Sequence, residues 1–168
     1  APDQVGAPVP DRVRITAGRT ETVVTVTPPS VENACGRIAP YQFCDIHINE
    51  SIAITSTAPI QVAHLFLSAG GNSGDPALAF IPPIDQYRDE YAFLIPEEYE
   101  QQFISIGTDI PTEILLDGQD VSAQMVDNDG TFSGATIAVE PGAHTLQCPS
   151  RCSLMAYGFS QAVSYYFA

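Results

Sequence analysis

Apolar and polar residues alternate along most of this chain with a period of two, the spacing that sends successive side chains to opposite faces of a β-strand. RVRITA (Arg12 to Ala17) sets Val13 and Ile15 on one face against Arg12, Arg14 and Thr16 on the other. TVVTVT (Thr22 to Thr27) is a second strand, stopped by Pro28-Pro29 because proline has no N–H to give a ladder. FCDIHINE (Phe43 to Glu50) alternates again, with Asp45 and His47 opposite Cys44, Ile46 and Ile48. PIQVAHLFLS (Pro59 to Ser68) is apolar on both faces, as a central strand is. FISIG, TEILLDGQDVSAQMV, TFSGATIAVEPGAHTLQC and the closing SLMAYGFSQAVSYYFA supply the later strands, with Asp117-Gly118 as a hairpin turn. Helical spacing is nearly absent, and EEYEQQ (Glu97 to Gln102), just after Pro96, is the one helix candidate, with one turn at most expected there. The pattern predicts an all-β chain, an antiparallel β-sandwich of about a dozen short strands with little or no helix.

Length and composition sharpen this picture. At 168 residues the chain suits one domain, 1–168, either whole or one module of a longer secreted protein. Hydrophobic residues make up 45% and charged residues only 15%, which is globular rather than disordered. The formal net charge is −14, all six cations are arginine, and lysine is absent. Nucleic acid is therefore excluded as a partner, since that binding needs cations that displace counterions from phosphate. The missing lysine also removes Schiff-base and P-loop chemistry. No run approaches the roughly 20 apolar residues of a membrane helix, so membrane insertion is not expected.

Cys35, Cys44, Cys148 and Cys152 lack the two-residue gaps of zinc knuckles. An even cysteine count in an acidic, strand-rich chain favours disulfides, and hence an oxidising, extracellular or cell-surface location. Of the three connectivities, Cys35 with Cys44 and Cys148 with Cys152 is preferred, because each pair closes a local loop. A four-thiolate metal site is the alternative.

Catalytic constellations are weak. Gly158-Phe159-Ser160-Gln161-Ala162 fails the nucleophile-elbow pattern at its last position, and Leu116-Asp117-Gly118 reads as a turn rather than an aspartic-protease motif. His47, His64 and His144 are not spaced to share a zinc ion. Asp127 and Asp129 open a stretch resembling a calcium loop, but the sixth position is Phe132 and the twelfth Ala138, against the EF-hand pattern. An Asp-Gly hairpin turn explains it as well. No cofactor is expected, calcium being the one ion the residues leave open.

Several short segments, in order, carry a resemblance. They are Pro59-Ile60-Gln61-Val62; Gly74-Asp75-Pro76-Ala77, Ile81-Pro82-Pro83-Ile84-Asp85-Gln86-Tyr87 and Tyr91-Ala92-Phe93; Leu115-Leu116-Asp117-Gly118; Pro141-Gly142-Ala143-His144; and Ala156-Tyr157-Gly158-Phe159 with Ser164-Tyr165-Tyr166. In these the chain resembles the IgGFc-binding-protein N-terminal domain family, found in a large secreted mucus protein of animals and in bacterial extracellular proteins; it reads as a bacterial extracellular member. The resemblance implies a β-rich, extracellular, non-enzymatic binding or adhesion role. It does not transfer Fc binding, because no motif in these residues specifies it.

GDPALAFIPPIDQYRDEYAF (Gly74 to Phe93) holds the densest of these segments. Read as a long loop, it lays Tyr87 and Tyr91 over a sheet edge with their hydroxyls seeking backbone carbonyls. Asp75, Asp85, Tyr87 and Tyr91 are the candidate binding residues, since loops on rigid scaffolds carry recognition. The expected function is an extracellular or surface binding and adhesion module for a protein or glycan ligand, without catalysis. The alternatives are a structural subunit of a filament or coat, self-associating through edge strands at RVRITA and SYYFA, and a glycoside hydrolase with a distant carboxylate pair.

Overall fold

A computed structural model describes residues 11–29, 35–48, 50–66, 74–110, 113–128, 130 and 132–168 of the chain. These form fifteen strands, all paired antiparallel, and two three-residue 3-10 turns, so the all-β expectation holds. The chain divides into two compact units, Ala1–Ile81 and Pro82–Ala168.

The first unit is a two-sheet sandwich. One sheet has the order β4-β1-β6-β7, from β1 (Asp11–Ala17), β4 (Phe43–Ile48), β6 (Ile60–Phe66) and β7 (Ala77–Phe80). The other has the order β3-β2-β5, from β2 (Thr22–Thr27), β3 (Gly36–Ile38) and β5 (Ala53–Ser56). Val13, Ile15 and Ile46 from the first sheet meet Val24, Val26 and Ile38 from the second in one buried cluster. The alternation in RVRITA thus sorts as its sequence predicts, Val13 and Ile15 inward. A disulfide joins Cys35, ahead of β3, to Cys44 in β4 and ties the two sheets together. One expectation is corrected here: β1 is not an edge strand, because Arg12 pairs with His47 on one side and Leu65 on the other.

The second unit is built on a single 19-residue strand, β14 (Gly142–Ser160). Its first half pairs with β8 (Arg88–Ile95) and with β10 (Leu115–Leu116), which turns through Asp117-Gly118 into β11 (Gln119–Asp120). Its second half pairs with β9 (Gln101–Thr108) and β15 (Val163–Phe167), and β9 continues to β13 (Phe132–Ala138) and β12 (Val126–Asn128). Even-numbered β14 residues face inward on both halves, so Leu146, Cys148, Cys152, Leu154 and Ala156 share one core with Ile95, Ile104, Ile106 and Ile137. The strand passes between its partners at an irregularity: Gln147 pairs with Glu90 but Cys152 with Arg88. Five steps of β14 therefore answer two of β8, and Cys148–Cys152 closes the resulting bulge.

EEYEQQ forms no helix. Glu97 and Glu98 make a turn and Gln101 already begins β9, where Gln102 is buried and its side-chain carbonyl accepts the Tyr165 hydroxyl at 3.0 Å. Tertiary packing overrides a helical propensity that one short, acidic segment cannot sustain alone.

Candidate functional site

The Gly74–Phe93 stretch is not a long loop. It contributes β7 to a sheet of the first unit, crosses Pro82-Pro83 and a 3-10 turn at Ile84–Gln86, and enters β8 of the second. Both strands lie at sheet edges, pairing with β6 alone and β14 alone. The stretch therefore supplies edges instead of covering one. Asp75 precedes β7 in the first unit, whereas Asp85, Tyr87 and Tyr91 belong to the second, where Asp85 is exposed on the 3-10 turn.

The two tyrosines converge on the β14 bulge. The Tyr91 hydroxyl donates to the Cys152 carbonyl at 2.6 Å and accepts from the Arg88 amide at 3.2 Å. Tyr87, partly buried, hydrogen-bonds the Ser153 side chain. Burial raises the titration of both phenols above the usual tyrosine range, against the opposing effect of the Ser153 hydrogen bond at Tyr87 and the Arg88 amide at Tyr91. From the other side of the bulge, the buried Thr108 hydroxyl reaches the Ile110 carbonyl at 2.8 Å and the Arg151 carbonyl at 3.1 Å. The bulge places Arg151 at φ 72° and breaks the ladder, and these hydroxyls satisfy carbonyls the ladder cannot. Tyr87 and Tyr91, each partly buried, brace the bulge.

The second cluster was not singled out as a site from the sequence. Asp117 and Gly118, at φ 51° and 76°, make the tight hairpin turn that left-handed Asp-Gly pairs favour. That turn aims the Asp117 carboxylate at β14, where Oδ1 accepts the Thr145 amide at 2.8 Å and Oδ2 lies 2.7 Å from His144 Nδ1. His144 Nε2 lies 2.8 Å from the Glu140 carbonyl oxygen, and the ring stacks on Phe93 of β8. Both neighbours are acceptors, so both ring nitrogens must donate and the geometry suits the imidazolium. Burial alone would lower the His144 pKa; the hydrogen bonds to Asp117 and Glu140 and the Asp117 charge outweigh it and raise it above 6.5. The same bond to His144, with that from Thr145, holds Asp117 below the usual carboxylate range.

The sign of the pH dependence follows. His144, raised in the fold, stabilises fully below its unfolded pKa and ceases to do so as pH rises through the folded one; Asp117, lowered, contributes above its unfolded pKa and ceases to do so as pH falls through the folded one. The pair is therefore complete between the two unfolded values, about pH 4 to 6.5, and weakens as pH rises through the raised His144 value. Denaturant midpoints at pH 5.5 and 8.0 should show the native chain losing more stability over this interval than a His144→Gln variant. Equal losses would separate the pair from the pH response.

Elsewhere, Asp127 Oδ1 accepts the Gly130 amide at 2.9 Å, the bond of an Asp-Gly turn. Asp129 lies outside the described residues. Among the described residues no three His, Cys, Asp or Glu side chains are grouped so as to hold a metal ion, and no helix is long and apolar enough to cross a membrane. His47 and His64 sit in the first unit on opposite faces of one sheet, and His144 sits in the second.

A family model described as IgGFc binding protein matches residues 2–158 of the chain. No curated protein and no solved structure matches it.

Proposed function

The chain belongs to the IgGFc binding protein family, and from that membership we propose that it is a non-catalytic, extracellular binding module whose ligand is a protein. One observation supports the reading beyond the family. Among the described residues each group whose titration the fold shifts is engaged in bracing: Asp45 with Arg14, Tyr87 with Ser153, Tyr91 with Cys152, Asp117 with His144, Asp120 with Ser122 and Tyr165 with Gln102. Catalysis at neutral pH asks for a perturbed acid or base held ready for substrate, and here those groups spend their hydrogen bonds on the scaffold. Two cystines suit an oxidising exterior, and the acidic surface favours solubility there. Adhesion at a cell surface is the role we assign to such a module.

The test is capture on an array of extracellular proteins, an IgG Fc fragment and glycans, with and without a calcium chelator, alongside hydrolysis of chromogenic glycosides. Saturable capture of a protein, indifferent to the chelator and without turnover, is expected. Turnover of a glycoside with no capture would replace the binding module by a hydrolase. Concentration-dependent polymers of the chain in sedimentation, with no capture, would replace it by a structural subunit joined through edges such as β15, which pairs with β14 alone.

A further inference from the structure

Strand register in the first unit gives one sheet face a composition unlike the rest of the chain. Along β4, β1, β6 and β7, the positions facing away from the core fall into cross-strand rows. Asp45, Arg14, Ala63 and Phe80 form one row; His47, Arg12, Leu65 and Leu78 form the next. Arg12 and Arg14 are two of the six arginines in a chain of net charge −14. Asp45 is the single carboxylate among the paired positions of that face, so the arginines leave it positive.

The two arginines are used differently. Arg14 makes a two-pronged bond to Asp45, 2.7 Å at each prong, and its guanidinium carbon lies 3.9 Å from the centre of the Phe43 ring. It is fixed and neutralised. Arg12 Nε is buried and has no hydrogen-bond partner among the described residues, so these do not use that guanidinium fully. A desolvated donor without a partner carries a cost that a bound acceptor at the same guanidinium offsets in part. Two strands away the face is open along the edge strand β7, where Leu78 is 50% and Phe80 54% exposed. From β1 to β7 is two strand spacings, about 10 Å, within the reach of one short peptide segment.

We propose that the outer face of the β4-β1-β6-β7 sheet is the docking surface of this module, and that its occupant is an acidic protein segment setting a carboxylate on Arg12 and apolar side chains on Leu78 and Phe80. The proposal rests on the binding-module reading and adds the surface and the partner's chemistry. Charge complementarity selects the acidic partner: arginine presents a planar fork of donors suited to carboxylate, and the neighbouring apolar strip supplies burial. The chain's overall negative charge does not forbid it. Screening over about 8 Å at physiological ionic strength mutes the distant carboxylates, while direct contacts at the face persist.

The experiment is an amide chemical-shift titration of the full chain with a blocked peptide of alternating Glu and Phe, and with its Lys-for-Glu counterpart. The acidic peptide should shift amides of β1, β6 and β7, and the basic one should not. Arg12→Gln should weaken binding at least about tenfold, as loss of an interface anchor does. Phe80→Ser, at an exposed position, should do the same while leaving the remaining spectrum in place. Equal binding of the basic peptide, indifference to both substitutions, preferred binding of a uronic-acid oligosaccharide, or no binding of the acidic peptide would each overturn the assignment. Shifts confined to β8 or β15, or protein capture on the array that survives both substitutions, would overturn this surface while leaving the binding-module reading standing.

Discussion

Replacing Leu146 with alanine should destabilise the second unit by about 2–5 kcal/mol, the largest loss expected from one side chain in this chain. Leu146 has no solvent exposure and lies on the half of β14 flanked by β8 and β10, opposite Tyr91 and Leu116. Truncation removes its transfer free energy and leaves a void that strands paired on both sides cannot close. Since whole domains are stable by only about 5–15 kcal/mol, that is a large fraction of the total. Leu94→Ala is the matched control: the same chemistry at a position 66% exposed should cost no more than about 0.5 kcal/mol. Hydrogen exchange resolved by strand reads the difference where it arises. Protection of β8, β9 and β14 should fall together in Leu146→Ala and stay unchanged in Leu94→Ala. A loss confined to β10, or equal losses in both variants, would show that this core does not unfold as one body.

The inward facing of Leu146 follows from alternation in its own strand. In HTLQC, His144, Leu146 and Cys148 alternate with Thr145 and Gln147, and the strand keeps that phase. Where period two held, the facing was readable, as in Val13 and Ile15. Which strand stands beside which was not. RVRITA looked like a terminal edge because it comes early, yet its partners, His47 and Leu65 among them, come from two distant strands, and nothing local encodes that. EEYEQQ keeps no more than the single turn expected of it, at Glu97 and Glu98, because Gln102 is drawn into β9 beneath Tyr165. The Asp117–His144 pair, 27 residues apart, fell between these cases. Both halves stood in segments that carried the family resemblance, Leu115-Leu116-Asp117-Gly118 and Pro141-Gly142-Ala143-His144. The Asp-Gly turn was recognised, but the direction of its carboxylate needed the β10–β14 register. Gly158 gains a reason in the same way, since a Cβ there would stand 2.4 Å from the Tyr165 ring. The cationic face of the first unit's sheet was half visible: Arg12 and Arg14 fall on one face by alternation, but Leu78 and Phe80 join them only through β6.

Removing the Cys148–Cys152 crosslink should be the second large effect, and it sets two physical accounts against each other. If a disulfide stabilised only by restricting the unfolded chain, Cys35–Cys44 would matter more. Its sequence separation is 9 against 4, and a doubling of loop length adds about 0.6 kcal/mol. Packing points the other way. Both sulfurs of the shorter bridge are in residues with no exposure, inside the core beside Leu146 and Leu154, whereas Cys35 and Cys44 are only partly buried at the margin of theirs. The shorter bridge also holds the Cys152 carbonyl that Tyr91 meets, so its loss frees the bulge and the β8 brace together. A Cys148→Ala/Cys152→Ala chain should therefore lose about 2–4 kcal/mol. That loss should exceed the one in Cys35→Ala/Cys44→Ala, with exchange quickening first in β8 and around residues 147–153. Should the order be reversed, chain entropy would govern both bridges, and the bulge would keep its form through its hydroxyl braces alone.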